Sequence, residues 1–203
     1  MKFLFAILSR HKNKHLWNEI LKRNENIIIF CGGETKEIFR YENRVLYLNC
    51  NDFYEGLPEK VIYMINAILS INIFNQYTHL VKIDDHDALL DYNQVINLCN
   101  MYVNDNDYCG FFINGIDGKG NYFKKGAFSG NRRYHFNKCS IDSVWNSKEY
   151  SGIYAPYAWG GLWIISRKSL IYIKSVFSFK DKEEVSKNHI YEDLMIGIIL
   201  NRF

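Results

Sequence analysis

The chain has 203 residues, of which 48% are hydrophobic and 23% are charged, and its formal net charge is +3. This composition predicts one globular domain over residues 1–203 with a substantial core, and it excludes an intrinsically disordered chain. The modest charge argues against nucleic acid as a partner. No apolar run approaches the roughly 20 residues of a membrane span, and the five cysteines lack zinc-type or disulfide-framework spacing. We therefore expect a soluble, cytoplasmic protein.

The first half of the sequence alternates short apolar runs with helical patterns. The opening run "FLFAILS" is too short for a signal peptide and predicts a first buried strand. A helical segment near residues 12–23 follows, and "NIIIFCGG", "RVLYLNC" and "HLVKI" predict further buried strands. Pro58 suits the start of a helix in "EKVIYMINAILSINIF", and "DYNQVINLCNMYV" predicts another helix. Continuous apolar strands separated by helices predict an α/β fold with a mostly parallel central sheet flanked by helices.

The second half of the sequence is less regular. The stretch "DYCGFFING" predicts a strand, and residues 116–150 are rich in loop-forming residues. The basic stretch from Lys124 to Arg133 either closes over a ligand or is a solvated surface, and we favour the solvated surface. The stretch "YAPYAWGGLWIISRKSLIYIKS" predicts a turn, a strand and a helix. The closing stretch "NHIYEDLMIGIILNRF" predicts an apolar helix that opens with an acidic pair.

The acidic cluster Asp84–Asp87 directly follows the predicted strand "HLVKI". Adjacent carboxylates repel each other unless a cation, a proton or solvent separates them. Carboxylate oxygens beside an imidazole suit Mn²⁺ or Mg²⁺, and ligands bind where parallel strands end. The alternative interpretation is a solvated turn in which Asp87 caps the following helix. The motif alone leaves both interpretations open, and its place at a strand end favours the metal site.

A second acidic pair, Glu192 and Asp193, opens the last predicted helix. Carboxylates at this position are stabilised by the helix dipole, so a structural cap is one interpretation. The other is a general base that takes a proton from a sugar hydroxyl. The pair alone does not decide between them.

The turn in "YAPYAWGGLW" combines glycine with aromatic residues. Gly160 and Gly161 allow the backbone to approach a ligand closely. Tyr157, Trp159 and Trp163 offer flat faces of the kind that stack on sugars. A tight turn with its aromatic rings in the core explains the same pattern equally well.

Four stretches occur in order along the chain: "DFYEGLPEK", "KIDDHD", "YAPYAWGGLWIIS" and "EDLMIG". They resemble the motifs D-x-Y-x-x-L-x-x-K, K-x-D-D-D, Y-P-P-Y-x-x-G-G-x-x-x-x-S and E-D-V-x-x-G of the galactosyltransferase/fringe-type β-1,3-glycosyltransferase family. The third stretch begins at Tyr154, and Trp17 in the first predicted helix is a weaker match. The likeness spans roughly residues 9–197. Each motif is moderately specific, and four in order form a strong joint signal.

The resemblance implies the GT-A fold, a Rossmann-like fold that binds nucleotide sugars. It also implies a metal-dependent inverting glycosyltransferase with Mn²⁺ or Mg²⁺ as cofactor. Such an enzyme moves a hexose or N-acetylhexosamine from a UDP-sugar donor to a hydroxyl of a glycan or glycoconjugate acceptor. A catalytically inactive nucleotide-sugar or carbohydrate-binding module on the same scaffold is the alternative. A metal-dependent phosphoesterase or nuclease fits least, because the net charge is modest.

The resemblance also assigns roles to individual residues. It implies Asp193 as the catalytic base, with Glu192 as the second choice. The residues implied in donor binding are Asp84, Asp85, Lys82, Lys60, Gly160 and Gly161. Those implied in the acceptor or sugar pocket are Tyr157, Trp159 and Trp163.

The implied metal ligands are Asp85, Asp87 and His86. The third aspartate of the family motif falls on His86 here, and Asp87 follows one place later, so the choice between these two ligands is open. Our hypothesis is that His86 substitutes for a metal-binding histidine that the family carries after its E-D motif.

Overall fold

Seven strands and six helices are found in the residues that the computed structural model describes, which are 1–33, 35–103, 106–113, 132–153 and 155–201. The strands are β1 (Phe3–Leu8), β2 (Ile27–Gly32), β3 (Phe39–Glu42), β4 (Val45–Leu48), β5 (His79–Asp84), β6 (Tyr108–Ile113) and β7 (Tyr157–Ser166). The helices are α1 (Lys14–Lys22), α2 (Leu57–Ser70), α3 (Tyr92–Val103), α4 (Arg167–Val176), α5 (Lys182–Asn188) and α6 (Glu192–Leu200). Tyr154 and the start of the basic stretch, Lys124 and Lys125, lie outside the described residues.

All seven described strands form one sheet in the order β3-β4-β2-β1-β5-β7-β6. The four central strands, β4, β2, β1 and β5, run parallel to one another. β3 is antiparallel to β4, and β7 is antiparallel to both β5 and β6. The predicted α/β fold with a mostly parallel central sheet flanked by helices is confirmed, and the architecture is consistent with a GT-A fold.

Helices cover both faces of the sheet. Successive side chains of a strand point to opposite faces, so Leu4 and Ala6 meet the layer of α2, α4 and α6, while Phe5 and Ile7 meet α1 and α3. A third, smaller core contains Trp145, Tyr150 and Tyr191 and supports the start of α6. None of the described helices combines the length and the apolar character needed to cross a lipid bilayer.

The register of the parallel strands determines where the polar residues meet. Leu8 pairs with Asp84, so the residues after β1 and β5 emerge side by side at one edge of the sheet. Lys82 pairs with Trp163 of β7, which places the middle of β7 next to the end of β5. Residues that are distant in sequence therefore converge at this edge.

Two elements were absent from the sequence prediction. β3 is an edge strand whose residues alternate between half-buried and exposed, so it has no apolar run. It joins β4 through Asn43 and Arg44, which adopt the left-handed conformation with φ of 50° and 63°. α5 was missed as well, because Val185 is its one buried residue.

Candidate functional site

The acidic cluster after β5 forms a single 3-10 turn over Asp85–Asp87. Asp84, His86 and Asp87 each offer a ligand atom, and these three atoms lie within 4.8 Å of one another. His86 Nε2 is 3.2 Å from Asp87 Oδ2, and the two side chains are 69% and 39% exposed. The interpretation of Asp87 as a helix cap is wrong, because Asp91 accepts the hydrogen bond from the Asn93 amide at the start of α3.

Asp85 has a separate environment. Its Oδ2 accepts hydrogen bonds from Ser9 Oγ and from Asn13 Nδ2, each at 2.7 Å. The structure therefore groups His86 and Asp87 with Asp84, whereas the metal set implied by the resemblance has Asp85 in that place. The 3-10 turn brings side chains three residues apart onto one side, which places Asp84 and Asp87 together, whereas Ser9 and Asn13 hold Asp85 apart.

Lys82 connects the two acidic clusters. Its side chain is fully buried, and its Nζ donates to Asp84 Oδ1 and to the Gly160 carbonyl and lies 3.4 Å from Glu192 Oε1. Burial alone would lower the pKa of Lys82, but the carboxylates of Asp84 and Glu192 outweigh it, so the pKa is raised and the ammonium stays charged. Lys82 was implied in donor binding, and in this structure its ammonium contacts three protein groups.

The second acidic cluster lies at the start of α6. The cap residue Tyr191 makes no side-chain cap bond, and Glu192 and Asp193 follow it in the first turn, where Asp193 Oδ1 accepts a hydrogen bond from the Leu194 amide at 2.7 Å. Burial first, and then the charge of Glu192, raise the pKa of Asp193 to about 8. Hydrogen bonds from the Leu194 and Gly160 amides and the charge of Lys82 oppose this rise without cancelling it. A carboxyl group with this pKa suits proton transfer near neutral pH.

The tight turn expected around Gly160 and Gly161 is wrong, because both residues lie within strand β7, where they make room for side chains of the protein itself. A Cβ on Gly160 would lie 2.9 Å from Glu192 Oε1 and 3.4 Å from Asp193 Oδ2. A Cβ on Gly161 would lie 2.9 Å from the indole ring of Trp159. Gly160 thus permits the second acidic cluster to lie against β7, and Gly161 permits Trp159 to fold over the backbone.

The three aromatic residues of this stretch are not equivalent. Trp159 is 53% exposed, whereas Trp163 is fully buried and Tyr157 is 2% exposed. Trp163 packs in the core with α2, and Tyr157 belongs to the smaller core beneath α6. All three rings were expected to stack on a sugar. Trp159 is exposed and can contact a ligand, whereas Tyr157 and Trp163 lie in the core, where both faces of β7 are covered.

A cavity of about 380 Å³ borders the first acidic cluster. Its lining includes Asp84, Asp85 and His86 together with the basic residues Arg10, Lys60 and Lys138. Lys60, which was implied in donor binding, is fully buried, and its Nζ is 2.6 Å from Asp52 Oδ1 and 3.3 Å from the Ser9 carbonyl oxygen.

Arg10 and Lys138 are the basic cavity residues that the sequence prediction missed. The guanidinium of Arg10 lies 5.3 Å from the centre of the Phe53 ring, and Lys138 Nζ lies 5.5 Å from the centre of the Tyr54 ring. Arg10 follows the first strand by two residues, so its place at the carboxyl edge of the sheet was the available signal. Lys138 lies in no recognisable motif.

A larger cavity of about 640 Å³ lies between α3 and strands β6 and β7. Apolar residues and two thiols dominate its lining, including Leu90, Val95, Leu98, Cys99 and Cys109. Neither acidic cluster reaches it. The charged residues of the first cluster therefore line the smaller cavity, and Glu192 and Asp193 are among the lining residues of neither cavity.

An α/β sheet whose strand β5 ends in an acidic turn, facing a second acidic pair that lies against Gly160 of β7, fits a glycosyltransferase. The chain belongs to the galactosyltransferase family, because the family model described as Galactosyltransferase matches residues 32–203. The family recognised from the four sequence motifs is thereby confirmed, and the protein is a glycosyltransferase. The matched region begins at residue 32, so it does not include Ser9, Arg10 or Trp17. No curated protein matches the chain.

Proposed function

We propose that the protein is a metal-dependent inverting glycosyltransferase that moves a hexose or N-acetylhexosamine from a UDP-sugar to a hydroxyl of a glycan or glycoconjugate. The observation that carries the proposal is the meeting of the two acidic clusters around Lys82. Asp84 and Glu192 contact the same buried ammonium, so the cluster after β5 and the cluster at the start of α6 belong to one site.

The side chains after β5 fit a divalent cation. Asp84 and Asp87 offer carboxylate oxygens and His86 offers an imidazole nitrogen, all within 4.8 Å. Oxygen ligands suit both Mg²⁺ and Mn²⁺, and the imidazole favours Mn²⁺. A bound ion would neutralise the diphosphate of the donor and make it a better leaving group. In this proposal Asp85 contributes to donor binding from the wall of the adjacent cavity.

The cavity residues support a charged donor. Arg10 and Lys138 bring two cationic side chains to the same space as Asp85, and Lys60 beside them is paired with Asp52. A nucleoside diphosphate carries negative charge that such side chains can balance. The exposed indole of Trp159, beside Gly160 and the second acidic cluster, is the surface that we assign to a sugar ring.

Asp193 is the catalytic base in this proposal. The oxygen of the acceptor hydroxyl attacks the anomeric carbon from the side opposite the diphosphate, and its proton passes to the Asp193 carboxylate. The bond between the anomeric carbon and the diphosphate oxygen breaks, and its electron pair leaves with UDP. One displacement inverts the anomeric centre. Glu192 is the second choice, because its Oε1 lies towards the ammonium of Lys82.

Calorimetric titration of UDP and a panel of UDP-sugars, with Mn²⁺ and then with EDTA, tests the proposal. We expect binding that requires the ion and favours one sugar. Equal affinity in EDTA would remove metal dependence, and no binding under either condition would remove the UDP-sugar donor. Metal-dependent binding of a UDP-sugar without transfer to any acceptor would instead support an inactive binding module.

A further inference from the structure

The hydrogen bonds that hold Asp85 begin at a buried indole. Trp17 in α1 is 3% exposed, and its Nε1 donates to Ser9 Oγ at 2.8 Å. Ser9 is 1% exposed, and its Oγ donates to Asp85 Oδ2 at 2.7 Å. Three residues from three parts of the chain therefore form one continuous chain of hydrogen bonds.

The direction of this chain is fixed by chemistry. An indole N–H is a donor only, so the Ser9 hydroxyl must accept from Trp17. The hydroxyl has a single proton, and the Asp85 carboxylate at 2.7 Å is a closer and stronger acceptor than the Arg10 carbonyl at 3.5 Å. Ser9 can therefore hydrogen-bond to Trp17 and Asp85 at once in only one arrangement. Its oxygen accepts from the indole, and its proton is donated to the carboxylate.

Asn13 supplies a second, independent contact. It occupies the cap position at the start of α1, where an asparagine side chain usually accepts a hydrogen bond from the helix backbone. In this structure it makes no cap bond, and its Nδ2 instead donates to Asp85 Oδ2 at 2.7 Å. Asn13 also ends the 3-10 turn His11–Asn13, which leads directly into α1, so its side chain is turned to the distant carboxylate and not to the helix backbone.

The sheet register supports the same arrangement. Leu8 of β1 pairs with Asp84 of β5, so Ser9 and Asp85 are the next residues of two adjacent parallel strands. Both donors act on Oδ2, and in the part of the chain that the structure describes, Asp85 Oδ1 accepts no hydrogen bond. Asp85 lines the 380 Å³ cavity, so Oδ1 is the oxygen left for a ligand there.

We propose that Trp17, Ser9 and Asn13 are positioning residues, which fix the Asp85 carboxylate so that Oδ1 accepts a hydrogen bond from a hydroxyl or N–H group of a nucleoside diphosphate or binds its divalent cation. The proposal rests on the proposed function, because it takes this cavity as the donor site. A carboxylate held by two donors before the ligand arrives loses little side-chain freedom on binding. The sequence between residues 9 and 17 thereby acquires a role in ligand affinity, although Trp17 itself lies in the core.

The test compares two serines with the same kind of bond. Ser9→Ala removes the hydroxyl between Trp17 and Asp85. Ser166→Ala is the matched control, because Ser166 is also buried and its hydroxyl donates to a carboxylate, Asp107, at the opposite end of the sheet. We expect Ser9→Ala to weaken UDP affinity in the presence of Mg²⁺ about tenfold, as removal of a partner behind a ligating group typically does. Ser166→Ala leaves the affinity unchanged.

A double-mutant cycle separates positioning from general destabilisation. In an Asp85→Ala background, Ser9→Ala should have no further effect on UDP affinity, because the hydroxyl acts through that carboxylate. Additive effects, or equal losses in Ser9→Ala and Ser166→Ala, would overturn the proposal. Should Ser9→Ala fail to fold in a thermal melt, Trp17→Phe keeps the buried ring, removes the donor and carries the same cycle.

The outcomes also distinguish this proposal from the proposed function. If the wild-type protein binds no UDP with the metal ion, both fail. If the wild type binds UDP and Asp85→Ala weakens binding, while Ser9→Ala leaves it unchanged, the donor site stands and only the positioning role is overturned.

Discussion

Two acidic clusters lie at the same edge of the sheet, and their surroundings differ. The turn over Asp85–Asp87 is open to solvent, with the side chains of His86 and Asp87 exposed by 69% and 39%. The cluster at the start of α6 lies against β7, where Glu192 is 7% exposed. Burial and the charge of Glu192 raise the pKa of Asp193 to about 8. The solvated carboxylate of Asp87 is available to a cation, whereas the raised pKa of Asp193 suits proton transfer.

Carboxylates of the same chemical type thus have different roles in the two clusters, because their environments differ. Lys82 is the element that the clusters share, since its ammonium contacts Asp84 on one side and faces Glu192 on the other. A single buried cation thus keeps two groups of like charge close together. Substitutions that affect one cluster and leave the other intact are the direct way to test this division.

The largest expected effect is that of Asp193→Asn on transfer. The amide cannot accept the proton of the acceptor hydroxyl, so we expect the rate constant for transfer to fall about a thousandfold, within the range of general base catalysis. The affinity for UDP with Mn²⁺ should stay unchanged, because the first cluster is untouched. Turnover assays measure the rate constant for transfer, and calorimetry measures the affinity for UDP.

Asp87→Asn is the complementary variant, because it changes the first cluster and leaves the second intact. It removes a charged ligand atom from the solvent-exposed cluster, so metal-dependent UDP binding should weaken while the base remains. Unchanged turnover in Asp193→Asn would take the base role from this residue. Equal losses of UDP affinity in Asp193→Asn and Asp87→Asn would show that the two clusters do not have separate roles.

The next effect concerns stability and the shared cation. Lys82→Met leaves the Asp84 and Glu192 carboxylates facing each other without the ammonium, and breaking a buried ion pair in this way costs about 3–5 kcal/mol. Denaturant unfolding measures the free energy of unfolding. Lys168→Met is the control, because its ammonium is 70% exposed and pairs with Asp107 on the surface, where such a pair contributes about 0–1 kcal/mol. Similar losses in both variants would contradict a special role for Lys82.

The sequence was sufficient to locate both clusters. Asp84–Asp87 follow a continuous apolar strand, and Glu192 and Asp193 open an apolar helix, so pattern predicted the first cluster at a strand end and the second at a helix start. Their meeting at one edge depends on the sheet register. The grouping within the first cluster was beyond the sequence. It depends on a single 3-10 turn and on Ser9 and Asn13, which lie 76 and 72 residues before Asp85.

The aromatic residues of β7 illustrate a second limit. Strict alternation would send Tyr157, Trp159 and Trp163 to the same face of the sheet. The pairing of β6 with β7 is irregular between Gly110 and Phe112, and such an irregularity changes which face the following side chains meet. Accordingly, Ala158 and Trp163 share one core cluster, Tyr157 lies in another, and Trp159 is exposed. The position of a bulge is not encoded in the apolar pattern of either strand.

The smallest expected effect is a shift in the pH dependence of transfer. Asp193 must be ionised to accept a proton, and its pKa is raised to about 8. We therefore expect kcat/KM to rise about tenfold per pH unit at low pH and to level off above about pH 8, because this parameter reports the pKa of the free enzyme. Glu192→Gln removes the charge that contributes to the rise, so the levelling should move to lower pH. Because burial is the larger cause, the levelling should stay above the ordinary aspartate pKa of about 3.9. If the pH profile of Glu192→Gln has the same midpoint as that of the wild type, burial alone raises the pKa of Asp193.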